Sequence, residues 1–170
     1  MRLTTWIWLA PVVFLLHDAE ELATIAPWLR AHAARLPAIL QLHTATVTTR
    51  GMATSVAVLL VALVLAAWHG ARRARVGRRS WPFLVAAGAL AGNALTHVGQ
   101  AVYFRGYTPG LVTALILCAP YALLLARALG RAELLTRRAA VALLLVGVVI
   151  QAPIAVAALA AGGNLAAAAP

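Results

Sequence analysis

FLLHDAEELATI, residues Phe14 to Ile25, is an apolar run broken by His17, Asp18, Glu20 and Glu21. The chain has four acidic residues in 170, and three of them lie in this stretch. Apolar sequence continues on both sides, from Leu3 to Leu16 and from Leu22 to Leu29. A carboxylate at bilayer depth costs at least about 2–3 kcal/mol, so a cluster there needs partners or water. The stretch admits two readings. It is either an interfacial turn with solvated charges or a helix carrying a buried acid-base or ligand cluster. The apolar flanks favour the second. His17, Glu20 and Glu21 stand at i, i+3 and i+4 and project from one helix face. Asp18 points about a quarter turn away and reads as a bystander.

The rest of the chain fits a membrane setting. Hydrophobic residues make up 64% of it, against about 45–50% in a soluble domain, and the mean hydropathy is +0.91. Five apolar segments can be drawn, at about 3–29, 52–68, 81–104, 111–129 and 139–161. Each is near the roughly 20 residues that a spanning helix needs, and in lipid the backbone must satisfy its own hydrogen bonds. The expected fold is therefore all-α: one polytopic integral membrane bundle of about five transmembrane helices over residues 1–170. Ala and Gly in every span suit close helix packing. Arg2 followed by Leu3 to Leu16 resembles the start of a secretory leader. A leader ends in small residues and a cleavage site, where this chain places its acidic cluster and then resumes its apolar run.

The net charge of +10 comes from fourteen basic residues, all Arg. They lie between apolar spans and not on an aromatic-interleaved patch, so no nucleic-acid partner is expected. Ten lie at Arg2, in the Arg72 to Arg79 loop and between spans four and five. Four (Arg30, Arg35, Arg50 and Arg105) lie at the other ends. The positive-inside rule then gives a multi-pass protein of the inner (plasma) membrane, with its N-terminus cytoplasmic and its C-terminus outside. The single cysteine, Cys118, excludes an intramolecular disulfide framework and a CxxC metal site.

The third span carries a second polar stripe. Asn93, His97 and Gln100 stand at i, i+4 and i+7. In this topology His17 and His97 both fall in the outer half of the bilayer, on the side of Arg50, Arg105 and Tyr107. One pocket opening outward or laterally would collect them. An Arg facing the two glutamates would hold both ionised. Two His and two Glu from two helices can bind a divalent metal such as zinc, iron or manganese, with His17, Glu20, Glu21 and His97 as ligands. Metal-bound water would then attack an ester, amide or phosphoester of a lipid. A metal-free route would use two close carboxylates as proton donor and acceptor, for instance to an isoprenoid double bond. Glu20, Glu21, Asn93, Arg105 and Tyr107 are the candidate catalytic residues, with Arg105 and Tyr107 orienting substrate or neutralising charge. HExxH is absent.

The remaining polar and aromatic residues have plainer expectations. His32 and His69 read as interfacial, and His43 as interfacial or closing over the pocket. The five Trp residues read as membrane-interface anchors. Gln151 and Pro153 read as an interhelical hydrogen bond and a kink. Glu133 reads as a surface partner of its Arg neighbours, and the segment over residues 30 to 50, its start bracketed by Pro27 and Pro37, as a short helix on the outer surface or one folding back over the helix ends.

The HDAEE pentapeptide, Asn93-x-x-x-His97, the Arg105-x-Tyr107-x-Pro109-Gly110 turn, Thr113 and Pro120 occur in that order. In this the chain resembles the HXXEE-motif family of small, mostly bacterial membrane proteins. The resemblance covers roughly His17 to Pro120. It implies an integral membrane protein whose site holds His17, Glu20, Glu21, Asn93, His97, Arg105 and Tyr107, with no settled biochemical role. Gly106 stands where some relatives carry a charged residue. The leading expectation is a membrane enzyme acting on a lipid or isoprenoid-like molecule. The rivals are a cation- or proton-handling transporter or binding protein, and an accessory subunit whose polar stripes pair with another chain.

Overall fold

The structure is a computed structural model that describes residues 1–36 and 49–168. Five long helices account for nearly all of it. They are α1 (Leu3–His32), α2 (Thr49–Ala74), α3 (Trp81–Phe104), α4 (Leu111–Arg131) and α5 (Arg137–Ala168). A single 3₁₀ turn, Ala33–Arg35, follows α1. Among the described residues there is no strand. The helices extend past the apolar spans because their charged and polar ends remain helical. Pro27 lies inside α1 and does not mark its end. The expected surface helix falls mostly on residues 37–48, outside the described residues, as do Pro37 and His43.

Packing follows the small residues. The most extensive contacts join α5 to α3 and α2, and α1 to α2, while α4 closes against α1 and α3. At the α3–α5 crossing the backbones nearly touch. A Cβ on Gly92 would lie 2.5 Å from the Gly147 carbonyl carbon, and one on Gly88 would lie 2.6 Å from the Leu143 oxygen. Only glycine leaves room for this approach, as in membrane helix pairs. The core beneath is built from Ile7, Ala67, Phe83, Cys118, Tyr121 and their neighbours. Tyr121 buries its hydroxyl by donating to the Trp6 carbonyl at 2.9 Å.

The two ends of the α3–α4 connection are set by backbone geometry. Helix α3 starts at Ser80, whose hydroxyl accepts from Phe83 N at 3.4 Å, an ordinary N-cap. It stops at Arg105, which takes a left-handed conformation (φ 55°, ψ 43°). Gly106 N then donates to the Ala101 carbonyl at 3.1 Å, which closes the helix end. Helix α4 begins at Gly110 (φ +82°) and widens into a π turn over Ala114–Cys118. Pro120 supplies no N–H to the ladder just beyond it, and such π turns are frequent beside functional sites.

Five membrane spans were expected. Among the described residues, two helices are long and apolar enough to cross a membrane: Thr49–Ala74, with a mean hydropathy of 2.2, and Leu111–Arg131, with 1.9. The apolar sequence of α1 and α3 is interrupted by the residues of the site itself. Large apolar side chains nevertheless face outward on all five helices, among them Leu16, Val61, Val102, Ile116 and Val149.

Candidate metal centre

Three side chains from two helices meet at one point. His17 Nε2 lies 3.2 Å from His97 Nε2. Glu21 Oε1 lies 2.9 Å from His97 Nε2 and 3.6 Å from His17 Nε2. Bonds of about 2.0–2.1 Å in a tetrahedral site set ligand atoms roughly 3.4 Å apart. The trio can therefore hold a metal ion. His17 and His97 are buried and Glu21 is about one-fifth exposed. The imidazoles meet edge to face, with centroids 4.8 Å apart.

Glu20 has a different place. Helix periodicity advances 100° per residue, so Glu20 and Glu21 straddle His17, one towards α4 and one towards α3. The Glu20 carboxylate sits at the start of α4. Its Oε2 accepts from Thr113 N at 2.7 Å and Thr113 Oγ1 at 2.6 Å. Its Oε1 accepts from Val112 N at 3.2 Å and Tyr107 OH at 2.8 Å. Free N–H groups and the helix dipole favour an anion there. With these donors in place Glu20 lies outside the candidate trio.

The same contacts fix the His17 tautomer. Thr113 gives its one hydroxyl proton to Glu20, so it accepts at 2.9 Å from His17 Nδ1–H. The Nε2 lone pair then faces the centre. A ligating histidine held through its other nitrogen by a carboxylate, here relayed by a hydroxyl, is the usual supporting arrangement at metal sites. His97 Nε2 lies between Glu21 Oε1 and His17 Nε2 and as a metal ligand would carry no proton, while its buried Nδ1 has no hydrogen-bond partner among the described residues.

Gly110 roofs the cluster. A Cβ there would lie 2.7 Å from His97 Cε1 and 2.9 Å from both His17 Cε1 and Glu21 Oε1. Tyr107 holds the roof down. Its hydroxyl donates to Glu20, and its carbonyl accepts from Trp28 Nε1 at 2.8 Å. Partial burial pushes the Tyr107 phenol above its ordinary value, and the Glu20 and Glu21 charges act the same way, so it remains a donor.

Several sequence candidates lie elsewhere. Arg105 serves as the α3 cap and is exposed, and among the described residues no ion pair joins Arg105 or Arg50 to a carboxylate. The expected arginine clamp on the glutamates is thus replaced by the N–H and hydroxyl donors around Glu20. Gln100 shares the Asn93 face but sits near the helix end and is exposed. Trp28 is more than an anchor, since it stacks on His32 with centroids 4.4 Å apart and binds the Tyr107 loop. His69 pairs with Ser80 Oγ at 2.7 Å. Asp18 is buried, and its Oδ2 has no hydrogen-bond partner among the described residues. Thr113 and Gly110 figured in the sequence only through the family pattern. Nothing in their spacing announced a contact with His17.

Residues 8–125 match the family described as proteins of unknown function with an HXXEE motif. The chain belongs to the HXXEE-motif family. The first and last residues of its motif, His17 and Glu21, reach the centre, and its first glutamate, Glu20, is held beside it by Thr113. No curated protein and no solved structure matches the chain.

Proposed function

We propose that the protein is a membrane-embedded, metal-dependent enzyme acting on a lipid or isoprenoid-like substrate. The observation that carries the proposal is the convergence of His17, Glu21 and His97, with His17 tied to Glu20 through Thr113. Two imidazoles and one carboxylate form a donor set of hydrolytic zinc sites, and also of non-haem iron sites. Such a set leaves coordination positions open for water or substrate. In a zinc centre this supplies a hydroxide near neutral pH or polarises an ester or phosphoester oxygen.

The membrane setting draws support from the two long apolar helices and from the apolar side chains that face outward on every helix. Soluble monomers rarely expose large apolar patches. All five helices then lie in the membrane, with the Arg72 to Arg79 end cytoplasmic. His17 lies fourteen residues into α1 and His97 sixteen into α3, which at 1.5 Å per residue is about 21–24 Å from the cytoplasmic ends. Gly110 and the Tyr107 loop cover the cluster on the outer side, while Glu21 remains partly open. An approach from the lipid suits a membrane-dissolved substrate.

The test is a lipid survey. Purified protein is reconstituted into vesicles of total membrane lipid, and the lipids are compared by mass spectrometry for wild type and His97→Ala. The expected result is one lipid class altered by wild type only, with the change abolished by a chelator. An unaltered lipid profile, with metal bound, would sink the enzyme reading in favour of cation binding or transport.

A further inference from the structure

Asn93 stands beside the trio without belonging to it. Its Nδ2 lies 2.7 Å from His17 Nε2, the atom that the Thr113 contact leaves unprotonated. Its Oδ1 accepts from Gln151 Nε2 at 3.0 Å. Gln151 comes from α5, beyond the residues matched to the family. Its reach is set by the glycine crossing. Gly92 and Gly147 touch, and Asn93 and Gln151 follow them by one and four residues. With His17 Nε2 unprotonated, the Asn93 amide turns its NH₂ side to the centre, and Gln151 Nε2 holds its oxygen.

An amide fixed this way is a poor metal ligand and a good anion donor. Once a metal takes the His17 Nε2 lone pair, the Asn93 N–H loses that acceptor. A metal about 2 Å from Nε2 would make the amide, now 2.7 Å from that atom, draw back, leaving its N–H free for an atom at the next coordination position. Donors aimed at developing negative charge are the usual means of stabilising an oxyanion. We propose that Asn93, held by Gln151, binds an oxygen anion at the open position of the centre. The ligand class is a carboxylate, a phosphate or the oxyanion of an ester under attack. Asn93 is the contacting group and Gln151 the positioning residue. The inference rests on the proposed metal centre of His17, Glu21 and His97.

Cobalt(II) and acetate provide the probe. Detergent-purified protein is loaded with cobalt, and acetate is titrated in while the visible absorption is followed. Wild type is expected to bind cobalt and then acetate. Asn93→Leu and Gln151→Leu are expected to weaken acetate about tenfold or more while still binding cobalt, which also shows that they fold. Gln151→Glu separates orientation from packing. It keeps the shape but accepts where Gln151 donates, so the Asn93 amide reverses and turns its oxygen inward. Acetate should weaken as much as in Gln151→Leu.

Acetate binding equal to wild type in both Gln151 variants would overturn the positioning role. Loss of cobalt from Asn93→Leu, with Gln151→Leu still folded, would make Asn93 a metal ligand and overturn the donor role. Failure of wild type to take up cobalt would overturn the metal reading itself, before acetate is added.

Discussion

Replacing His17 or His97 with alanine is expected to lower the zinc affinity of the purified protein at least about 100-fold. Structural zinc sites with four ligands bind with roughly 10–16 kcal/mol in total, on the order of 3 kcal/mol per ligand. Glu21→Gln should fall in the same class, because it removes the one negative ligand of the trio. Thr113→Val should cost less, about 10- to 100-fold, since it removes the hydroxyl between His17 and Glu20 and touches no ligand atom. Gln100→Ala, at an exposed position, should bind zinc as wild type does. Competition titration with a chromophoric chelator reads the whole series. Equal affinity in wild type and His97→Ala would show that the zinc sits elsewhere.

Gly110→Ala is expected to damage both stability and the centre. The position has φ +82°, where a non-glycine residue costs roughly 1–2 kcal/mol. Its Cβ would also press on both imidazoles and on Glu21, each closer than 3 Å. Either the roof lifts, freeing Tyr107 and the start of α4, or the ring nitrogens move apart. Thermal unfolding in detergent should occur at lower temperature, and zinc affinity should fall about 10- to 100-fold. A variant with unchanged affinity and unfolding temperature would contradict the close roof. Gly106→Ala is the comparison, because a Cβ there meets nothing within 4 Å. It should leave both properties near wild type.

The faces of α1 and α3 were legible because one turn of helix repeats every 3.6 residues. That spacing placed His17 and Glu21 together, and Asn93 with His97. It did not separate Glu20 from Glu21, since which side of a face meets α3 or α4 depends on how the helices pack. Arg105 was misplaced for a related reason. It follows the last turn of α3, where the left-handed cap redirects the chain and periodicity no longer applies. Gln100 has the right angle but stands one turn too near the helix end. Gln151 could be read as an interhelical hydrogen bond but not assigned a partner. Asn93 is 58 residues away in sequence, and their meeting depends on the Gly92–Gly147 contact. The outline of the bundle was clear from its apolar segments. The acidic residues that interrupt α1 are also what keep it below the hydropathy of an ordinary span.

The acids in FLLHDAEELATI thus divide by direction: Glu21 to the trio, Glu20 to the start of α4, and Asp18 into the interior. Whether His17, Glu21 and His97 share one ion is open to direct measurement. X-ray absorption at the zinc edge of stoichiometrically loaded, detergent-purified protein should show only nitrogen and oxygen ligands at about 2.0–2.1 Å. It should also show the outer-shell scattering of two imidazoles, with one lost in His97→Ala. A sulfur ligand at about 2.3 Å, or scattering from fewer than two imidazoles in wild type, would contradict a centre built from these three residues.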